Sequence, residues 1–513
     1  MLGFGIAVER SILRAVVLAT AVLLSCPSTA QDAATRVYVG RIEFTGVSQT
    51  SDFVLRRELL VHEGGYLNTV ALDRSMQRLE ALPFIDHATP RLREVMGVKD
   101  VVDIVIEIDE APARRYGGGG GYSEAFRTSL HGYFMNENLF GLGQRLGVGA
   151  EGDDVSSSAE LSHTQPYTTI EGVSRTIELS SRRIDRLTVH ASALAGDFAA
   201  ARLEYGYRLE SAADSAAFEP LRRGTCRPPI GLGVRLPGLA DCSRESALRL
   251  GIELGSAELT AAGGASAQLI DWVSTNGDSS VSDGAVSTNL DGIDFVLGWR
   301  RDSRDRPVFG DNGLEQAFTL RAALPGSDVE YYRADYEIER RLPLGERWTL
   351  RLRGRLGHGA AYGSDTSSLP PYLNWFAGGP RTVRGYREDG LGPRDSLGNP
   401  YGGDTLLAGQ LEVMTAWPRR WGENVRVGFF YDAGNVFHGA DGVAFYDEGG
   451  QPLDYGFDWS ELRRSTGLAL EVLLPVGLVR ASYAVPLDPE EHPTSVFRRD
   501  DAERFQIGFG VGF

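Results

Sequence analysis

Arg384 stands in the stretch TVRGY, a fixed cation on a chain that Gly385 allows to turn, with Gly378, Gly379, Gly390 and Gly392 close on either side. Taken alone, a lone arginine is ordinarily a solvated surface residue, so its partners decide whether it does chemistry. The other candidates are weaker. GVGAEG (Gly147, Gly149, Gly152) matches the dinucleotide pattern, but DDVSSSAELS follows it where a phosphate-binding helix is required. The eight histidines show no HExxH spacing, and no CxxC occurs, so neither a metal nor a cofactor is expected. Serines and acids are plentiful on turns without selecting a triad, and an enzyme is not expected. Cys226 and Cys242 could pair across a short loop in an oxidising compartment.

That compartment is set by the start of the chain. Arg10 and Arg14 precede the apolar run Ala15 to Ser25, and Ser28 and Ala30 supply small residues for cleavage before Gln31, so residues 1–30 read as a signal peptide. Cys26 in LLSC admits a lipoprotein reading of the same segment. The run is too short to span a bilayer, and no other apolar stretch reaches about 18 residues, so no transmembrane helix is expected. With 52 basic against 69 acidic residues and a net charge of −17, the chain is a poor partner for nucleic acid, which calls for a basic face.

Residues 36–111 read as a small α/β module in the order β, α, α, β, β. VYVGRIEF is a strand, Ser51 can cap a helix through DFVLRRELL, and Leu72, Met76, Leu79 and Leu82 recur at helical spacing. In VDIVIEID, Ile104, Ile106 and Ile108 share one face, with Asp103, Glu107 and Asp109 opposite. From residue 115 to 513 the helical period is gone. Stretches near ten residues alternate in polarity, among them RTIELSSRR, YYRADYEIERRL and VRVGFFYDAG, and at roughly 25 residues per strand with its connection they allow about 16 strands.

The last stretch, RFQIGFGVGF, separates a water-soluble sandwich from a membrane barrel. Phe505, Ile507, Phe509, Val511 and Phe513 point one way, while Gln506, Gly508, Gly510 and Gly512 point the other. A strand with one wholly apolar face and one of glycine and glutamine suits lipid outside and a polar lumen inside. The fold class expected is mostly β: a transmembrane antiparallel barrel of about 16 strands behind one small α/β domain.

FAGGPRTVRGYREDGLGP, GGDTLLAGQLE, FFYDAGNVF, PVGLVRASYAVPL and RFQIGFGVGF occur in that order, and together they resemble the BamA/TamA superfamily of outer-membrane barrel assembly factors. LSHTQPYTTIEGVS and PGSDVEYYRADY also resemble barrel segments of that superfamily, and the small module resembles its membrane-proximal POTRA domain through VLRRELLVHEGGYLN and RLEALPFIDHATPRL. The resemblance thins between Ile184 and Asp291. It departs in two places: this chain has room for one POTRA domain where BamA carries five, and Asp404 replaces an asparagine. The resemblance implies that Val383, Arg384, Gly385 and Tyr386 fold into the lumen, where Arg384 meets wall carboxylates matching Glu412 and Asp432. Parity agrees independently, because Leu411, Val413, Tyr431 and Ala433 would face lipid and leave both acids inside.

It implies further an outer-membrane location with the POTRA domain in the periplasm. Implied partners are outer-membrane lipids, unfolded barrel proteins as substrates, and periplasmic chaperones or assembly lipoproteins through the POTRA domain. The implied function is insertion of barrel proteins. Two alternatives share the parts: a two-partner secretion pore and a TamA-like translocation and assembly module. Within this frame the five glycines Gly117, Gly118, Gly119, Gly120 and Gly121 fall where the first strand must pair with the last. With Gly508, Gly510 and Gly512 opposite, they would make a seam poor in cross-strand side-chain pairs. A linker ahead of a strand starting near Tyr122 is the competing reading.

Overall fold

The computed structural model describes residues 37–513 except 124–126, 154, 170–172, 186–193, 209–244, 307–308, 364–365, 418–423, 440–441, 475–476, 491–494, 496, 498 and 511–513. The segment read as a signal peptide, Cys226, Cys242, Val511, Gly512 and Phe513 therefore lie outside the described residues. The chain divides into two compact units, one within residues 1–110 and one running from Ala111 to Phe513 with Gln49–Val54 added.

In the first unit, β1 (Tyr38–Thr45), β2 (Ile85–Glu94) and β3 (Val101–Glu110) form one sheet in the order β1-β3-β2, with β1 parallel and β2 antiparallel to β3. The alternation in β3 buries Ile104, Ile106 and Ile108 under α2 (Thr69–Glu80), which contributes Leu72, Met76 and Leu79. Asn68 caps α2 by accepting the Ala71 N–H at 3.1 Å. The helix expected through DFVLRRELL is shorter: α1 covers Asp52–Arg56 only. The chain leaves it because the Leu60 N–H donates to Ser75 Oγ of α2 at 2.8 Å and Glu58 is buried beside Arg78, a pair of anchors that a continued helix would pull apart.

The second unit is a closed antiparallel barrel. Its ring runs through β4 (Arg114–Ser123), β5 (Arg127–Leu139), β6 (Gln144–Gly152), β7 (Ser156–Gln165), β8 (Ser174–Ile184), β9 (Leu194–Arg208), β10 (Glu245–Ala261), β12 (Ala285–Asp302), β13 (Gly313–Ala323), β14 (Tyr331–Leu344) and β15 (Trp348–Ala361). It continues through β17 (Thr405–Ala416), β18 (Val425–Phe437), β21 (Arg463–Leu474), β22 (Gly477–Pro486) and β24 (Phe505–Gly510), which returns to β4. That makes sixteen wall strands among the described residues. The short β11 (Asp278–Ser282) adds only to β12, beyond the end of β13. Two-residue strands pair outside the ring, β16 (Gly385–Tyr386) with β23 (Ala502–Glu503) and β19 (Phe445–Tyr446) with β20 (Pro452–Leu453). Closure leaves the sheet without a free edge.

Side-chain parity sorts the barrel wall. Phe429 is 65% exposed and Tyr431 41% on the outer face of β18, while Phe430 and Asp432 between them are buried inside. The outer face carries Leu161, Leu203, Ile252, Leu254, Leu356, Leu411, Leu468 and Tyr483 among others. No described helix is long and apolar enough to cross a membrane, and the crossing elements are strands.

Two features close the end of the barrel away from Arg114, here the far end. The hairpin of β10 and β12 overshoots its neighbours and carries α3 (Ala267–Thr275), whose N-cap Ser266 accepts from Leu269 N–H. Trp272 of α3 lies edge-on to Tyr372 and donates to the Ser368 carbonyl at 3.4 Å, both in the long connection between β15 and β17. The buried apolar side chains of both elements join the upper wall in one cluster, including Leu269, Trp272, Leu369, Trp375, Leu391, Tyr401 and Phe445.

Candidate functional site

The connection between β15 and β17 folds back into the lumen. Isolated bridges between Trp375 and Gly403, Ala377 and Leu391, and Arg394 and Pro400 zip its two limbs together. Its tip turns on glycines: Gly378, Gly379 and Gly385 hold φ of 105°, 85° and 89°, a region closed to most L-residues, and Thr382 Oγ1 ties the turn by bonding both N and O of Gly378 at 2.9 Å. Gly385 is constrained twice, since a Cβ there would stand 2.9 Å from the Cβ of Ala484 on the wall. Gly385→Ala is therefore expected to lift the tip off β22, with faster proteolysis within residues 376–393 of an otherwise heat-modifiable, folded barrel as the check. Tip protection equal to wild type would show that the contact yields.

Val383 and Tyr386 are fully buried, and Arg384 between them enters a carboxylate pair. Its Nε and Nη2 donate to Asp432 Oδ2 and Oδ1, both at 2.7 Å, its backbone N–H donates to the same carboxylate at 3.1 Å, and Nη1 donates to Glu412. The guanidinium also stacks over Phe430, 3.6 Å from the ring centre. The fork geometry is one that arginine satisfies and lysine cannot. Gln410 completes the seat, donating to the carbonyls of Pro380 and Thr382 at 3.1 and 3.2 Å.

The wall extends this into a ladder that the motif did not reveal. Arg351 of β15, directly across from Glu412 in register, bonds it and reaches Glu471 of β21 at 2.9 Å. Arg480 of β22 lies 3.1 Å from Glu471, and Glu339 of β14 holds Arg353 and Arg341. Opposite charges thus alternate from the loop tip across six strands, each of these cations facing a carboxylate rather than hydrocarbon. One signal was available: Arg351, Arg353 and Arg355 recur at every second residue of one strand, a cationic stripe on a face that must find acids. Outside the wall strands, burial at the tip pushes the Asp389 carboxyl up to about 6 against the opposing pull of Arg381 and Arg355, and burial with the nearby Asp500 pushes the Tyr386 hydroxyl up to about 12.

The five glycines are strand, not linker. Gly117, Gly118, Gly119, Gly120 and Gly121 lie in β4, paired in register with Tyr133, Gly132, His131, Leu130 and Ser129 of β5, because backbone pairing supplies what side chains do not. The strand begins at Arg114 rather than near Tyr122, so the competing linker reading is corrected. Gly117 and Gly118 sit under close neighbours. Tyr133 lies across Gly117, where a Cβ would stand 2.6 Å from its ring carbon Cζ, and a Cβ on Gly118 would stand 3.0 Å from the His131 carbonyl oxygen. Gly119 faces His131 directly across the ladder. On the other flank β4 neighbours β24, which among the described residues pairs with β22 from Tyr483↔Phe505 to Leu478↔Gly510. Phe505 and Ile507 face outward and Gln506 is buried inside, as parity requires. GVGAEG lies in β6 and continues to a strand.

Residues 138–513 match the Omp85 superfamily domain, and residues 37–111 match the surface antigen variable number repeat, the POTRA model. The outer membrane protein assembly factor BamA of Neisseria meningitidis serogroup B is 26% identical over 496 residues, covering 93% of this chain and 57% of that protein. BamA of Nitratidesulfovibrio vulgaris is 24% identical over 456 residues, covering 88% and 49%. The chain thus spans about half the length of these relatives. In fold it is similar to the crystal structure of BamA from Haemophilus ducreyi lacking POTRA domains 1–3, with TM-score 0.72, 23% identity and coverage of 93% of this chain and 85% of that one. It is less similar to CdiB from Acinetobacter baumannii, with TM-score 0.52, 12% identity and coverage of 93% and 73%. The protein is an outer-membrane barrel with a periplasmic POTRA domain. With a family model covering most of its length and one POTRA match ahead of it, the chain belongs to the Omp85 superfamily as a BamA-like member.

Proposed function

We propose that this protein inserts other β-barrel proteins into the outer membrane by opening its own barrel between β4 and β24. The carrying observation is the make-up of that junction: five consecutive glycines in one strand beside a partner, β24, whose inward-facing positions 508 and 510 are also glycine. Cross-strand side-chain pairs contribute roughly 0.2–1 kcal/mol each, and each glycine in a strand interior costs roughly 0.5–1 kcal/mol relative to alanine. The run of glycines therefore lowers the barrier to parting along this stretch of the wall. Parting exposes unpaired N–H and C=O groups to lipid, which cannot satisfy them, so an unfolded strand arriving from the periplasm completes the edge. No covalent step and no nucleotide are needed, because burial of the client's apolar face drives the process.

In this reading the Arg384 clamp and its ladder keep the remaining wall rigid while one junction yields. The POTRA domain receives clients together with chaperones or assembly lipoproteins. The likeness to CdiB keeps a second reading in view, a pore that passes a protein through the lumen, but the fixed seat of Arg384 on Asp432 favours the first. Depletion of the protein separates them. Simultaneous loss of many unrelated outer-membrane barrels is expected, and loss of a single secreted protein with barrels intact would replace the first reading by the second.

A further inference from the structure

The luminal loop does more than grip the wall at Glu412 and Asp432. Its tip forms the short strand β16 (Gly385–Tyr386), which pairs antiparallel with β23 (Ala502–Glu503), the two residues that lead into β24. The ladder continues one step, with the Arg387 N–H donating to the Asp501 carbonyl at 2.8 Å and their side chains pairing at 3.3 Å. Arg394 holds the Arg499 carbonyl at 2.8 Å. Inside β24 itself, the buried Gln506 donates through Nε2 to the Tyr386 carbonyl at 3.0 Å, and that carbonyl also accepts from the Gly379 N–H at 3.1 Å. Tyr386 donates its hydroxyl to the Arg464 carbonyl at 3.2 Å, so the tip is anchored on β21 while it holds β24.

From this geometry we infer that Gln506 is a positioning residue, a latch by which the luminal loop sets how often the last strand leaves β4. The inference rests on the opening junction proposed above and names what governs it. Among the inward-facing positions of β24, Gln506 has a side chain while Gly508 and Gly510 have none, so the carboxamide is the strand's own side-chain tie to the lumen. The bond is neutral and single, strong enough to bias the strand and weak enough to release it. The Arg384 clamp, by contrast, is charged and multiple. The loop therefore has a permanent anchor on β17 and β18 and a releasable one on β24.

The test uses the full-length protein in liposomes with spin labels at Tyr116→Cys and Ile507→Cys, outward positions on β4 and β24, in a background lacking Cys226 and Cys242. The fraction of long label separations reports opening without any client. Gln506→Leu removes the donor at similar volume and is expected to raise that fraction about three- to tenfold, the range of one neutral hydrogen bond. Gln506→Glu keeps the size and makes the tie titratable. Ionised, it repels the Tyr386 carbonyl and the junction opens; protonated, it donates and the wild-type distribution returns as pH falls. A mere folding defect would not reverse with pH, so this variant decides the matter even where Gln506→Leu folds poorly. Wild-type distributions for both variants at every pH overturn the latch. Client insertion measured on the same liposomes judges the proposed function separately, since the label distances do not depend on it.

Discussion

Arg384→Ala should produce the largest loss of any single luminal substitution, lowering barrel stability by about 3–5 kcal/mol, the range for removing one partner of a buried ion pair. The reason is the company it leaves. Asp432 and Glu412 are essentially without solvent contact, and Asp432 would lose both hydrogen bonds from the guanidinium at once, keeping only the one from the backbone N–H of residue 384. Glu412 retains Arg351, so the two acids should respond differently. A double-mutant cycle is expected to show stronger coupling of Arg384 to Asp432 than to Glu412, read from denaturant midpoints of the folded barrel in detergent. Arg384→Lys should rescue only part, since an ammonium cannot span both oxygens of Asp432 and stack on Phe430. Coupling energies of zero to both acids would remove the clamp from the account.

Locking the junction should be the most damaging change that leaves the fold intact. Cysteines at Gly120 and at one of Ile507, Gly508 or Phe509, in a background lacking Cys226 and Cys242, are expected to crosslink in one register, because a disulfide demands Cα atoms within about 7 Å. The oxidised protein should stay heat-modifiable and fail to insert clients, and reductant should restore insertion. Normal insertion by a quantitatively crosslinked barrel would show that clients enter by another route.

Much of this was legible in the residues because a strand has a period of two. Ile104, Ile106 and Ile108, the lumen-facing Glu412 and Asp432, and the outward Phe505 and Ile507 all follow from parity alone, which holds whatever the neighbouring strands are. Contacts between strands far apart in the chain were not. Arg351 meets Glu471 across 120 residues, and no local pattern says which acid lies beside which stripe of arginines. The tie from Gln506 to the Tyr386 carbonyl leaves no trace in the sequence, because the acceptor is backbone that every residue possesses. The glycine run misleads in the other direction: composition favours a linker, and the closed ring overrides it by supplying a hydrogen-bonding neighbour on each side of β4. The α3 cap was missed because a helix of nine residues within a β hairpin announces itself only through Trp272, whose partners lie about a hundred residues on.

The pairing of β16 with β23 also dictates an order of events in the protein's own maturation. Residues 385–387 find their partners at Arg464, Asp501, Ala502 and Glu503, so the tip cannot complete its contacts until the last strands of the chain are present. Contacts of such sequence separation form late, after local hairpins have already gained their pairing. During folding the lumen is consequently still open when the wall is nearly finished, and the loop is among the last pieces to dock. A nascent copy truncated before Asp501 should hold this loop loosely, making protease resistance within residues 376–393 a marker of a completed barrel rather than of a merely inserted one.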